Sequence, residues 1–496
     1  MHKTTSIRAY PNRTLLPGIA FLLPVVAYIM CALQRIGTPL LLEWMEGGSL
    51  QMMHRVLSGE PLYGAPSIEF VPYTYTPLYF YISALVSGVV GTDLLSLRLV
   101  SFTASLASYV ILFLIIRRET GGSFGGMAAV GLFAGSYAVN GNWFDIARID
   151  SLCIALLLAG AWLGLGERRP RNLILGGILV ALSFFTKQVT LVVLGPLILA
   201  VLMRQGKAGL YFAFTGLLVI VIGSLVLDTI YDGWFLFYVL ESPRRRWQSN
   251  FSGIHLARAA LLEFVPIFII SVAVCAPLLG RLLRRPTLAG TSFLMVIAGL
   301  FLAAAWGRVE SINFLNSSIP AHLGMALLFG LAVGTYTRDS SDYKTPIALT
   351  GAFVAQIAIF SVMIGPLIPT KRERLNYSNY TSLISSLPKP VYLPDQGYVR
   401  FLGPTNSFAH SIGIMDLMMG GSSSDAMDFR REMEGALTAK KFGAIVCETS
   451  LFQGWFQEAL ERNYELVPTS NHEGTWTPVL GFTFTPLIFR PRGGKE

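Results

Sequence analysis

Apolar blocks of bilayer-crossing length recur from residue 15 to residue 365, and they limit the fold more than any other feature of the chain. In hydrocarbon a backbone must satisfy its own hydrogen bonds, so only helices and closed barrels cross. A helix needs about 17–25 apolar residues and a barrel strand about 10. The blocks at 15–34, 98–116, 122–139, 151–166, 173–186, 189–203, 208–228, 258–279, 287–305, 319–336 and 345–365 run from 14 to 22 residues, eight of them 18 or longer, and so lie nearer the helical than the strand length. Together with 53% hydrophobic and only 14% charged residues, they predict a polytopic α-helical membrane protein with about eleven spans.

Orientation follows from Lys and Arg in the short connectors, since positive loops stay cytoplasmic. Arg117/Arg118, ERRPR (167–171), Arg204/Lys207, Arg281/Arg284/Arg285 and Arg338 occupy every second connection and agree with the amino-terminal Lys3, Arg8 and Arg13. The amino terminus is therefore expected in the cytoplasm, with 35–97, 140–150, 229–257, 306–318 and everything after 366 outside. Counting 76–93 as a crossing would reverse this pattern. It reads instead as a helix at the outer interface, with Tyr73, Tyr75, Tyr79, Phe80 and Tyr81 in the aromatic belt.

The net charge of +9 is mostly this orientation signal, and no solvated basic arm of the kind used on nucleic acid is present. The first span exceeds a signal h-region and no small-x-small cleavage site follows, so it is expected to remain as an anchor. Four scattered cysteines exclude a disulfide framework or a cysteine zinc site. Beyond 366 the composition turns polar. PVYL (390–393), AIVC (444–447) and TFTPLIF (483–489) read as strands, and 424–440 and 451–462 as helices. The expected domains are thus 1–366 in the membrane and a small extracytoplasmic α/β domain over 367–496, whose acids Asp395, Asp416, Asp425 and Glu448 read as surface residues.

Four outward features carry charge that a plain span would avoid, because an ionisable group near hydrocarbon costs a few kcal/mol or more. They are Glu43 and Glu46 in EWMEGG; Asp145, Arg148 and Asp150 in NGNWFDIARID (140–150); Lys187–Gln188 at a span end; and Arg244–Arg245–Arg246 in ESPRRRWQ. The triplet lies on the side where arginine is disfavoured, and guanidinium recognises phosphate oxygens bidentately. Its alternative is pairing with headgroups or with the soluble domain. Carboxylates beside cations suit a sugar-phosphate donor: an acid takes the proton of an attacking hydroxyl, and cations stabilise the departing phosphate.

In the order EWMEGG, GEPLY (59–63), YTPLY (75–79), RLVS (98–101), ARIDSL (147–152), FTKQ (185–188) and GRVESINFLNSSIP (307–320), the sequence resembles the integral-membrane glycosyltransferases of the GT-C fold. The resemblance is to the bacterial branch related to protein mannosyltransferases and aminoarabinose transferases, and it covers roughly residues 1–335. It implies inverting transfer from a polyprenyl-phosphate-linked sugar to a lipid, glycan or protein hydroxyl at the outer face of a bacterial-type inner membrane. It further implies Glu46 as the catalytic base, ahead of Glu43, and Asp150 as the assisting acid. Lys187, with Arg148 and the triplet, would bind phosphate, and Arg308, Asn313 and Tyr75 would contact substrate. Glu46 and Asp150 carry the oxygen ligands that Mg2+ or Mn2+ takes, although branches of the family work without metal. The rival class is a transporter or lipid flippase, which would place charges near the midplane and often show inverted repeats; neither is visible.

Overall fold

The computed structural model describes residues 15–245, 264–310, 315–340, 342–362, 368–403, 406–419, 423–447, 454–467 and 486–493. Helices lie at the predicted crossings: α1 Leu15–Arg35, α4 Leu94–Thr120, α5 Ser123–Gly135, α6 Asp150–Gly164, α7 Pro170–Phe184, α8 Thr190–Gln205, α9 Gly209–Ile230, α10 Ile269–Arg284, α11 Leu288–Glu310, α12 Ile319–Asp339 and α13 Lys344–Ser361. Between α1 and α4 run α2, Glu46–Leu57, and α3, Leu78–Val90. Local chemistry sets the ends. The Asp93 carboxylate accepts from Leu94 N (2.7 Å) to open α4, Gly121 closes it at φ +74°, and Pro170 opens α7.

Among the described residues, six stretches are long and apolar enough to cross a membrane by length and composition, one of them Thr190–Ile230, which contains α8 and α9. Helices α5, α6 and α7, of 13, 15 and 15 residues, fall short of the ~20 that a full crossing takes. The connector from α5 to α6 supplies the rest as irregular backbone, and residues 139–150 are buried throughout. Non-helical backbone at that depth is tolerated only inside protein or around a cavity. This is the first structural sign of a site.

Apolar side chains on α1 and α9, among them Leu23, Met30, Phe214 and Val221, face outward, as lipid contact requires. Small residues let helices approach where they meet one another: a Cβ on Gly125 of α5 would lie 2.5 Å from the carbonyl of Gly330 in α12. The basic connectors gather at one end, where Arg204 pairs with Glu119 (2.8 Å) and donates to Leu165 O, Arg118 reaches Trp162 O (2.7 Å), and Arg281 pairs with Asp339 (3.0 Å).

The aromatic belt is corrected. Tyr73, Tyr79 and Phe80 are buried, and the Tyr79 hydroxyl donates to Leu97 O (2.8 Å); Tyr81 is the one of the five that is exposed. Tyr79 thereby ties α3 to α4, and the Tyr73 hydroxyl donates to Met45 O (3.2 Å), so each finds its carbonyl inside the protein.

After α13 come α14 Lys371–Ser386, α15 Ser411–Met419, α16 Ser424–Thr438 and α17 Trp455–Asn463, and a four-stranded sheet of β1 Val391–Tyr392, β2 Ala444–Cys447, β3 Tyr464–Leu466 and β4 Leu487–Pro491 in the order β1-β2-β4-β3. β1 and β2 are parallel, and β4 runs antiparallel to both β2 and β3. Sequence reading missed β3, α14 and α15.

Two buried ion pairs anchor the connection after α1. Arg98 of α4 grips Glu46 through Nε (2.8 Å to Oε1) and Nη2 (2.6 Å to Oε2), and donates to Thr38 O and Leu40 O (2.6 Å each). Arg35 grips Asp145 through Nε (2.7 Å) and Nη2 (2.5 Å) and donates to Asn142 O. All four side chains are fully buried. Removing one partner of such a pair leaves an uncompensated charge and costs about 3–5 kcal/mol. Glu46→Gln and Arg98→Met are each expected to lower the thermal midpoint in detergent by several degrees, with the pair of substitutions together costing less than their sum. Additive losses in a double-mutant cycle would show that the two side chains are not coupled.

Candidate active site

The connectors at the end away from Arg204 enclose a cavity of about 320 Å³. Its walls come from Trp44, Met45, Thr74 and Tyr75 before α4, from Trp143, Arg148 and Asp150 at the start of α6, from Lys187 between α7 and α8, from Asn316 and Ser317 before α12, and from one face of α15.

Arg148 organises the charge. Its guanidinium lies over the Trp143 ring (4.5 Å to the centroid), donates through Nη2 to the Tyr75 hydroxyl (2.9 Å), and contacts Met45 Sδ. Glu43 Oε2 is 3.8 Å from its Nη1 and Asp150 Oδ2 is 3.9 Å from its Nε. Lys187 Nζ donates to Asp150 Oδ1 at 2.6 Å, and Asn316 Nδ2 approaches the same oxygen at 3.4 Å. Burial alone would pull the Lys187 ammonium down, but Asp150 beside it holds it above its usual range. Asp150 Oδ2 and Arg148 Nε are buried without a hydrogen-bond partner. Two cations and one carboxylate thus keep unspent hydrogen-bonding capacity in a cavity walled by two tryptophans.

The predicted residues separate into two groups. Asp150, Lys187, Arg148 and Tyr75 come together. Glu46 does not join them: its oxygens accept from Arg98 twice, from Leu42 N (2.6 Å) and from Ala147 N (2.8 Å), so it is fully engaged as a staple and lies off the cavity wall. Glu43 is also fully buried, behind Met45. It accepts from Met45 N with one oxygen and keeps the other unpartnered. Desolvation first, and then the charge of Glu46, push its carboxyl up to about 8 despite Arg148. Arg244 and Arg245 instead pair with Glu241 one turn earlier, at 3.1 and 2.9 Å, on a solvent-facing turn; Arg246 and Asn313 lie outside the described residues. Arg308 is partly buried beside the wall residue Gly307 but does not line the cavity.

A metal does not fit as expected. Glu46 could become a ligand only by giving up Arg98, and among the described residues no three His, Cys, Asp or Glu side chains converge.

Sequence reasoning overlooked Trp44, Trp143, Asn316 and Asp416. The tryptophans stand inside the charged motifs, EWMEGG and NGNWFD, and Asp416 is the single acid of the apolar run Ile412–Met419; each was a readable signal. Asp416 and Asp395 are corrected from surface acids: the first is half-buried in the cavity wall and the second is buried.

Residues 74–227 match the family model described as dolichyl-phosphate-mannose-protein mannosyltransferase. That stretch contains Arg148, Asp150 and Lys187 and begins within the first loop, after EWMEGG. Among solved structures, ArnT from Cupriavidus metallidurans bound to undecaprenyl phosphate aligns with a TM-score of 0.59 at 10% identity, over 94% of this chain and 97% of that one. The chain has the GT-C fold. Archaeal oligosaccharyltransferase AglB from Archaeoglobus fulgidus, in complex with an inhibitory peptide and a dolichol-phosphate, aligns at TM-score 0.51 and 11% identity over 91% of this chain and 73% of that one. No curated protein matches in sequence. The predicted fold class stands: a multi-pass helical GT-C membrane protein with a small carboxy-terminal sheet.

In this GT-C chain, the segment 406–419 is seated on the first loop. Ala409 N donates to Ile68 O (2.9 Å), Gln51 Nε2 to Phe408 O (3.0 Å), and Thr74 Oγ1 to Asp416 Oδ2 (3.1 Å). A Cβ on Gly47 would collide with the Gln396 carbonyl, which explains the glycine after Glu46. His410 locks the seat: its Nδ1 accepts from Ile412 N (3.1 Å), so Nε2 carries the proton and donates to Trp44 O (3.0 Å). Burial lowers its pKa to about 4. The seated state therefore binds fewer protons than a released one, so its stability is full above ~6.5 and falls as pH drops from there towards 4, by roughly 3 kcal/mol in all. Limited proteolysis of the carboxy-terminal segment is expected to accelerate across that interval in the native protein and to lose this pH dependence in His410→Gln.

Proposed function

We propose that this chain transfers a sugar from a polyprenyl-phosphate carrier to an acceptor hydroxyl, with inversion at the anomeric carbon, at the outer face of a bacterial-type membrane. One observation carries the reading: Arg148, Lys187 and Asp150 converge in a largely apolar cavity at the mouths of the membrane helices. The neighbours' ligands, undecaprenyl phosphate for ArnT and dolichol-phosphate for AglB, and the mannosyltransferase match support the same chemistry.

Lys187 and Arg148 are the cations for the donor phosphate. Arg148 offers its unpartnered Nε–H, and Lys187 has two further N–H donors beyond the one on Asp150. In a low-dielectric cavity, charge that develops on the leaving phosphate is held far more strongly than in water. Asp150 Oδ2 is the base. The acceptor oxygen attacks the anomeric carbon, its proton passes to Oδ2, and the carbon–oxygen bond to phosphate breaks with its electron pair leaving on the polyprenyl phosphate. One displacement needs one base and no covalent sugar intermediate. Glu43 tunes Arg148 from behind: neutral at pH 7, it leaves the guanidinium charge for the phosphate. The basic connectors at the other end support a cytoplasmic amino terminus and an outward site.

Transfer from a panel of radiolabelled undecaprenyl-phosphate sugars tests the reading. Asp150→Asn is expected to lower kcat by 10²-fold or more with donor binding retained, and Lys187→Met to raise donor KM at least tenfold. Near-normal kcat in Asp150→Asn would remove it as base. Glu43 gives a test by sign: as the tuner, its ionisation through about pH 8 weakens phosphate binding, so kcat/KM falls on that limb and Glu43→Gln flattens it. A rise through the same interval would make Glu43 the base.

A further inference from the structure

Trp143 lines the cavity at 2% exposure, and its indole Nε1 is buried without a hydrogen-bond partner among the described residues. An indole N–H only donates, and a buried donor left unmade costs free energy. A phenyl ring at this position would also stack on Arg148, whose guanidinium lies 4.5 Å from the indole centroid, and would carry no such cost. A native structure that keeps the donor needs a reason, and a donor on a cavity wall takes its partner from what fills the cavity. The backbone holds the indole in place. Gly141 and Asn142 have φ of +70° and +63°, the left-handed region that asparagine visits but most residues avoid, and such strain gathers at functional sites. The carbonyls on either side of the tryptophan are pinned: Asn142 O accepts from Arg35 Nη2 (2.8 Å), and Phe144 O from Ser151 Oγ (2.6 Å). Arg35 is itself locked on Asp145. The donor is therefore set in position before a ligand arrives, as preorganised stabilisation of charge requires.

We propose that Trp143 Nε1–H is a donor to the carrier phosphate, acting beside Arg148 and Lys187. The proposal rests on the glycosyl-transfer reading of this cavity and deepens it. The indole carries the Arg148 guanidinium on its face, so an anion drawn to that cation comes to the same ring. A phosphate offers several acceptor oxygens, and a hydrogen bond to a charged oxygen is about twice as strong as one to a neutral oxygen. The indole therefore favours the phosphate over a lipid alcohol. It adds no charge to a cavity where Asp150 and Lys187 already neutralise each other, and it has no proton to exchange with the base. Trp143 thereby serves twice, its face aligning Arg148 and its edge holding the leaving group.

The experiment measures binding of tritiated undecaprenyl phosphate and tritiated undecaprenol to the full chain in detergent, native and Trp143→Phe, with transfer from undecaprenyl-phosphate sugars assayed in parallel. Trp143→Phe is expected to weaken undecaprenyl phosphate about tenfold and undecaprenol less than about twofold, because one charge-assisted hydrogen bond is lost while an aromatic ring stays. A second readout uses the native fold: NMR of protein labelled at the tryptophan indole nitrogens. The Trp143 resonance is the one missing from Trp143→Phe or, should that variant not fold, from Trp143→Tyr. It is expected to move downfield with undecaprenyl phosphate and to stay with undecaprenol. The proposal is overturned if Trp143→Phe binds undecaprenyl phosphate as the native protein does, if both lipids lose affinity equally, or if the resonance does not move. The same shift from inorganic phosphate or phosphatidylglycerol at equal concentration would also overturn it, since the N–H would then not select the carrier. A phosphate-selective loss and shift without transfer from any donor would leave Trp143 as a phosphate ligand and defeat the transferase reading.

Discussion

The grip of Arg98 on Glu46 is the interaction on which the site depends. A guanidinium and a carboxylate are buried together with four carbonyl and amide groups around them, so each charge is neutralised and each polar atom satisfied. The pair fixes three separate pieces of chain at once: the backbone after α1, the start of α2 and the NGNWFDIARID connector through Ala147 N. A buried pair of this kind adds little net stability compared with an apolar substitute, but it admits one arrangement. That arrangement sets Trp44 and Met45 on the cavity wall and holds Arg148 and Asp150 facing it.

Charge in the cavity is balanced by position as much as by number. Asp150 and Lys187 neutralise each other, and Arg148 is shared among Tyr75, the Trp143 ring and two carboxylates at almost 4 Å, none of which claims its Nε. Such loose partnering in a low-dielectric space leaves cations available to an anion without exposing them to water. Glu43 sits deep enough that its neutral form is favoured at pH 7, which keeps one negative charge away from Arg148.

The carboxy-terminal unit is part of the cavity. Its contribution comes from a nine-residue helix, Ser411–Met419, too short for its period to stand out in the sequence. The unit is seated on the first loop through Ala409 N, which donates to Ile68 O, through His410 on Trp44 O and through Gln51 on Phe408 O.

The sequence by itself determined the class of the molecule. Apolar length is a property of contiguous residues, so spans, the alternation of basic connectors and the mixed composition after 366 were all legible, as were Asp150, Arg148 and Lys187, each a charge out of place in its own segment. The roles of Glu43 and Glu46 were not. They stand three residues apart in one motif, and which of them is stapled and which is desolvated depends on an arginine 52 residues further along the chain than Glu46. Arg244 and Arg245 show the same limit: a charge run announces itself in sequence, but the pairing with Glu241 is seen only in the fold. Asp416 needed the tertiary structure most of all, because only the docking of 406–419 on the first loop brings an acid from the end of the chain to a site built at its beginning.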